Sequence, residues 1–481
     1  MTISSAFHNA ASGLAAASRT ARVVSDNLAN ALTPGYGRRS VSLAANGLSG
    51  GVRVVGVERH VDPAVVADRR RADAGFGHAS TIATFHDRFQ ALLGMPDAPD
   101  SLTQRIAGFE SALIAAESRP DSTLRLDGAV TAAADLAGSL ARASEGIAGI
   151  RSDADRKIAE QVTGLNADLE HVQMLNRRIA SATASGQDAN ALLDERQRAV
   201  DDINTLIPVR IAERPNGQIA LYTEGGAVLL DGAAASFGFD PTRHVTAEMT
   251  LENGALSGLT VNGKPLDTSS GGQISGGTLG ALFDIRDRLG PEAQSDLDAF
   301  ARDLIERFQS PGLDPTLAPG AAGLFTDGGA AFDPANSPGI AARLQLNPAL
   351  TPETGGNSWR LRAGLGAATP GEPGDSTLLQ AFSAALTERR PAATGNFGTG
   401  QFTAADLGNA LLSFSTQRGS RADQALGFAA AMQSEFTRIE REQGVDSDAE
   451  LQTLMLVEQA FGANARVIQA LDDMMATLLR L

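Results

Sequence analysis

The chain contains no cysteine. That excludes disulfides, thiolate zinc sites and a cysteine nucleophile, so the fold must hold itself by packing or by assembly. Aromatic residues are scarce, with one Trp and two Tyr among 481 residues. Lysine occurs only at Lys157 and Lys264, and the remaining positive charge is arginine. Acidic residues outnumber basic ones by 56 to 40, for a formal net charge of −16. A polyanion of this kind lacks the clustered cations that phosphate binding requires, so no nucleic-acid partner is expected. No stretch reaches the ~18–20 apolar residues of a membrane span, and no membrane insertion is expected. Residues 1–17 have neither the basic start nor the continuous apolar run of a cleavable signal peptide.

Catalytic patterns are also missing. The histidines are His8, His60, His78, His86, His171 and His244, and no two have the i, i+4 spacing of a helical zinc site. His86-Asp87 reads as a solvated pair on a helix. The glycine-rich stretch Gly271–Gly277 lacks the Gly-Lys-Ser/Thr of a phosphate loop and reads as a linker. Asp472-Asp473 flanks an apolar seam and reads as a solvated face. Arg69-Arg70-Arg71, isolated in an acidic chain, reads as a salt-bridge cluster. No catalytic residue, cofactor or metal is expected.

What the chain does have is helical periodicity at both ends. Ile3, Phe7, Ala10, Leu14, Ala17, Ala21, Val24, Leu28 and Ala31 are spaced 4 and 3 in alternation, an a/d seam of about four heptads. The pattern stops at Thr33-Pro34-Gly35-Tyr36-Gly37, where Pro34 pushes its predecessor out of the helical region. A second seam runs through Leu454, Val457, Phe461, Asn464, Ile468, Leu471, Met475 and Leu478. Ser447 with Glu450 has the spacing of a capping box at its start. Two seams of similar length at opposite ends of a chain can bury each other. Asn464, within the second, is expected to fix register.

Between the ends the chain is long for one core. Ser101 with Gln104 opens a helix holding Ile106, Phe109 and Leu113. Ile158, Val162, Leu165, Leu169, Val172, Asn176 and Ile179 form a third heptad seam. The period shortens from about residue 209, where Val209-Arg210-Ile211 and Ile219-Ala220-Leu221-Tyr222 read as strands joined by Pro215-Asn216-Gly217. Helix returns over Leu279–Phe308, Ser376–Arg389 and Ala404–Arg441. The expected fold is mainly α with a β-rich insert. Its terminal coiled-coil domain comprises 1–45 plus 445–481, and its helical rod domain comprises 46–208 plus 276–444, with an irregular Pro/Gly-rich segment at 310–375. A small outward β domain covers 209–275.

The stretch Ser25–Arg39 resembles the N-terminal signature shared by flagellar rod, hook and hook-associated proteins. Asn27, Asn30, Thr33, Gly35 and Tyr36 carry the likeness, while Asp26 stands where that family usually has a further Asn. Glu458–Ala470, followed by Met474-Met475-Ala476-Thr477-Leu478-Leu479, is similar to the family's closing helix, which often has Tyr where this chain has Phe461. Phe109–Leu113, Arg119-Pro120-Asp121, Leu175–Ile179 and Asp188–Arg196 resemble the branch that joins hook to filament.

The resemblance implies a structural, non-enzymatic subunit that assembles helically through paired terminal helices. It implies contacts with further copies of itself, with the hook protein and with a second hook–filament junction protein. It also implies export through the flagellar type III apparatus, a chaperone on the C-terminal helix beforehand, and an extracellular place on the flagellum. The alternative within the family is another axial protein, either the hook protein or the second junction protein.

Overall fold

The computed structural model describes residues 3–47, 50–95 and 98–480. The chain opens with helix α1 (Ile3–Ala29) and a hairpin of β1 (Arg38–Ala45) and β2 (Val52–His60). Helices α2 (Pro63–Leu93), α3 (Leu102–Ser118), α4 (Thr123–Ala184) and α5 (Asn190–Leu206) follow. The 62-residue α4 is the spine, roughly 90 Å long at the ~1.5 Å rise of a helix. Leu126, Leu136, Leu140, Ile158, Leu165, Leu169 and Val172 along it are all buried, so the third heptad seam is a core seam.

Strands β3 (Val209–Glu213), β4 (Ile219–Thr223), β5 (Val228–Asp231) and β6 (Ala233–Ala234) form one antiparallel sheet in sequence order. Strands β7 (Phe237–Gly238), β8 (Thr260–Val261) and β9 (Lys264–Pro265) form another. The β3–β4 turn is where the Pro-Asn-Gly triplet places it, with Asn216 at φ +60° and Gly217 at φ +72°. These sheets share the core of α4 rather than standing off from it. Asn176 donates to the Ile219 carbonyl at 2.8 Å and accepts from its N–H at 3.2 Å. Asn166 brackets Phe237 in the same way.

Helix α6 (Gly277–Asp284) runs through a π-helical turn at Ile285–Leu289 into α7 (Gly290–Phe308). Arg286, in that turn, is fully buried and meets the equally buried Asp155 of α4 at 2.7 Å. Arg151 donates from beside it to the carbonyls of Arg286, Thr246 and Met249. Burying guanidinium groups is costly unless every donor is met, and here they staple irregular chain to the spine.

The Pro/Gly-rich segment is built of short pieces. They are β10 (Phe325–Asp327), α8 (Ile340–Arg343), β11 (Leu344–Leu346) and α9 (Arg360–Ala363). Phe325, Ile340, Leu344, Leu350 and Leu361 anchor them in the common core. After α10 (Thr377–Thr387) and the strand pair β12 (Arg390–Pro391) and β13 (Gln401–Phe402) come the long α11 (Ala404–Glu442) and the closing α12 (Ser447–Leu478). Helix α11 returns along α2, and α12 packs on α1.

Three local expectations are corrected. Residues 38–60 form a β-hairpin, so part of the stretch assigned to the helical rod is sheet lying against α1. The cap of α12 is Asp446, which accepts from the N–H groups of Asp448 and Ala449; Ser447 is already inside the helix. His86 is buried against Phe85, not solvated.

Candidate assembly site: the terminal helix pair and its anchor

Alanine dominates the α1 seam, so α12 can approach closely. Ala10, Ala17 and Val24 are buried, while Ile3, Leu14 and Ala21 are half-buried. On α12, Leu454, Val457, Asn464 and Ile468 are half-buried, and Leu471 is the one apolar side chain of that helix that is fully buried. The seam positions are thus the more protected ones. Burial is incomplete, however. Phe7, Leu28, Phe461, Met475 and Leu478 stay between 37% and 59% exposed, contrary to the expectation that the two seams close over each other. The reason is geometric: two helices cover only part of each other's circumference, and large side chains at the rim and at the open ends reach past the contact. At the free end Ile3, Phe7, Met475, Leu478 and Leu479 line an apolar groove of about 430 Å³.

Asn464 sits over Gly13, and its side-chain nitrogen turns back to the Ala460 carbonyl at 2.9 Å. Its contact across the seam is therefore one of shape, a knob over a glycine.

The signature residues form the anchor that joins this pair to the body. Asn27, wholly buried near the end of α1, donates to the Arg39 carbonyl at 2.8 Å. Its oxygen accepts from the Arg39 N–H at 3.0 Å and from the Tyr36 hydroxyl at 2.9 Å. Burial raises the Tyr36 pKa, which keeps the hydroxyl a donor. Asn30 donates to the Asp26 carbonyl, and Thr33 donates to Asn30. Gly35 has φ +74°, and a Cβ there would also strike Arg198 of α5 at 2.7 Å. The turn thus needs glycine for both conformation and space.

Asp194 of α5 receives this turn. It accepts from the Gly37 N–H at 3.1 Å, from Arg39 at 2.6 Å and from Arg59 at 2.7 Å. Arg39 also lies over the Tyr36 ring at 4.8 Å. On the other side Arg38 meets the buried Glu450 of α12 at 2.8 Å. Below it Arg69 joins Asp73, Asp201 and Glu440, tying α2, α5 and α11, so the arginine run is the salt-bridge cluster expected. Asp194, Arg59, Arg38 and Glu450 carry as much of this anchor as the signature does. Their pairing spans up to 412 residues, which no local spacing reveals.

A further feature of α12 is a second apolar stripe. Leu456, Ala460, Ala463, Val467, Ala470 and Met474 repeat at spacings of 4 and 3, and all are exposed. The same rule that finds the first seam finds this one. Among the described residues no His, Asp or Glu group is placed to hold a metal, and no helix is long and apolar enough to cross a membrane.

Comparison with known proteins gives matches in the same order along the chain. The profile of flagella basal body rod proteins matches residues 7–36. The profile of the flagellar hook-associated protein FlgK helical domain matches 87–316. The C-terminal profile of flagellar basal body rod FlgEFG proteins matches 441–481. Flagellar hook-associated protein 1 of Salmonella typhimurium is 26% identical over 315 residues, which cover 62% of this chain and 56% of that protein. The chain therefore spans a little over half the length of that relative. The protein of the same name from Escherichia coli K12 is 24% identical over 431 residues, covering 80% of this chain and 77% of its own. A solved structure, the flagellar hook junction protein FlgK from Burkholderia pseudomallei, aligns with a TM-score of 0.45 at 20% identity over 56% of this chain and 47% of its own.

Proposed function

We propose that this chain, which belongs to the family of flagellar hook-associated proteins, forms the layer that joins hook to filament by assembling through its terminal helices. The observation that supports this most directly is the two-sided character of α12. One stripe faces α1, and a second of equal regularity, Leu456 to Met474, faces outward. Burying a large apolar side chain contributes ~1.5–3 kcal/mol, so neighbouring copies that cover this stripe stabilise a helix pair which is marginal alone. Contacts that do not pair a patch with itself propagate into rings or helical layers, and such a layer can end one lattice and begin another.

In this reading the partners are further copies of the chain, the hook protein on one side and the second junction protein on the other. The type III export apparatus delivers the chain to the outside, and an export chaperone covers the α12 stripe until then. The work is mechanical, and no reaction, cofactor or metal takes part. Immunogold labelling of purified flagella tests the placement. A single band at the hook–filament boundary is expected. Label along the whole hook would assign the chain as hook protein, and label beyond the boundary would assign it as the second junction protein. Absence of label from flagella would overturn the reading.

A further inference from the structure

A chain without cysteine leaves methionine as its only oxidisable sulfur. Of its eight methionines, Met455, Met474 and Met475 lie on α12. Met95, Met174 and Met455 stand well exposed, and a sulfoxide oxygen formed there is simply hydrated. Met475 is placed differently. It is 43% exposed, so its side chain is open to a small solute, yet it also lines the apolar groove of about 430 Å³ at the free end of the α1–α12 pair.

Ile3 and Phe7 of α1 stand across that groove, and Leu478 and Leu479 of α12 stand beside it. Leu471 lies one helical turn before Met475 and is buried against α1, so Met475 extends the side of α12 that packs on its partner helix. Oxidation turns this flexible apolar side chain into a polar one whose oxygen accepts hydrogen bonds. Among the side chains lining the groove only the Ser4 hydroxyl can donate to it. The oxygen is better met by water, and reaching water takes the side chain out of the groove.

We propose that Met475 is a redox-sensitive residue of the unassembled chain, whose oxidation to the sulfoxide by a peroxide opens the free end of the α1–α12 pair. The thioether sulfur attacks one oxygen of hydrogen peroxide, the O–O bond breaks and an S–O bond forms. Sulfur is oxidised by two electrons, and the second oxygen leaves with both protons as water. The helix pair has little to set against this change, because alanine dominates the α1 seam and few large side chains close it. The inference concerns the free chain and stands apart from its placement between hook and filament.

The test treats the purified full chain with hydrogen peroxide, maps sulfoxides by peptide mass spectrometry and follows limited proteolysis. Met475 is expected to gain one oxygen while α4 stays protected. Cleavage within α1 and α12 should then rise at least about threefold, the scale set by one unmet polar group in an apolar contact. Peptide methionine sulfoxide reductases with dithiothreitol should restore the slow rate. Met475→Leu keeps the groove apolar, so its cleavage should be the same before and after peroxide. The chain carrying Met455→Leu with Met474→Leu should respond as the wild type does. Met475 left unoxidised at a peroxide dose that converts Met455, an oxidised chain cleaved at an unchanged or slower rate, or an equal response in Met475→Leu would each overturn the proposal.

Discussion

Asn464 of α12 lies so close over Gly13 of α1 that a Cβ at position 13 would come within 2.8 Å of its Oδ1 and 2.9 Å of its Nδ2. The two helices are in close contact at this point. In an ordinary helix Gly→Ala gains ~1 kcal/mol from propensity. Here the methyl must displace Asn464, so Gly13→Ala is expected to loosen the pair and speed proteolysis of both terminal helices. In an Asn464→Ala background the obstacle is gone, and the same Gly13→Ala should slow proteolysis. The sign reversal between backgrounds is the result to look for; equal effects in both would show that the two residues do not interact.

Asn27 satisfies three backbone and side-chain groups at the end of α1. Asn27→Ala leaves the N–H and carbonyl of Arg39 and the Tyr36 hydroxyl without it, at ~1–3 kcal/mol for each group that stays buried. Hydrogen exchange should then rise across residues 27–45 while α4 remains protected. Protection unchanged at Arg39 would show that the clamp does not hold the hairpin to α1.

Asp194 binds two arginines from the terminal part of the chain, Arg39 and Arg59, with its own side chain 8% exposed. Removing one partner of such a buried pair typically costs ~3–5 kcal/mol, since the remaining charge stays uncompensated. Asp194→Asn should lower the urea midpoint of the full chain and free the β1–β2 hairpin from α5. Asp188→Asn is the control, because Asp188 meets Arg19 at only 3.9 Å with both side chains largely in solvent. Equal midpoints for the two variants would remove Asp194 from the anchor.

His86 gives the chain an acid sensitivity. Burial lowers its pKa, the Arg418 and Arg288 cations lower it further, and Asp87 and Asp423 oppose them. Its Nδ1 is buried without a hydrogen-bond partner. The folded form therefore takes up this proton at a lower pH than the unfolded chain, whose histidine titrates near 6.5. Above both values His86 contributes no pH dependence. As pH falls through about 6.5 the unfolded state is protonated first, and stability drops until the folded value is reached. His86→Phe should flatten that fall in urea midpoint between about pH 7 and pH 5. A parallel fall in wild type and variant would assign the acid sensitivity elsewhere.

The heptad seams were legible because periodicity is a local property, and Leu165, Val172 and Leu471 are buried where their spacing puts them. The β3–β4 turn was legible for the same reason, since Asn216 and Gly217 are residues that accept positive φ. The hairpin at 38–60 carries a period-2 signal in Val52 and Val54, and Val57 falls out of phase with it. A β-bulge between Ser42 and Leu43 interrupts the register, and charged residues on its open face blur the contrast. The anchor could be read only in part. Asn27 and Tyr36 stand out as a motif, but that the turn beside them meets Asp194 through Gly37 and Arg39, and that Arg38 meets Glu450, follows from tertiary packing alone. The burial of His86 likewise depends on where the rest of the chain lies, which its neighbours in sequence do not encode.

The exposed stripe of α12 allows folding and the proposed assembly to be tested apart. Val467 and Met474 are 45% and 48% exposed in the single chain. Val467→Glu with Met474→Glu should therefore change the stability of the isolated protein by no more than about 0.5 kcal/mol per site, the usual range for surface substitutions. In an assembly that covers the stripe, the same carboxylates would be buried without partners, which is costly enough to prevent the contact. The variant is expected to be folded and exported yet unable to form layers, with filament subunits lost to the medium. Leu471→Ala provides the contrast. Leu471 is buried against α1 in the single chain, so its truncation should cost ~2–5 kcal/mol and loosen the terminal helices before any assembly begins. Circular dichroism and proteolysis of the purified chain separate the two effects, and electron microscopy of the cells reads the outcome. Normal filaments on cells carrying the double glutamate variant would show that the stripe faces solvent in the assembled structure, and the subunit contact would have to lie elsewhere.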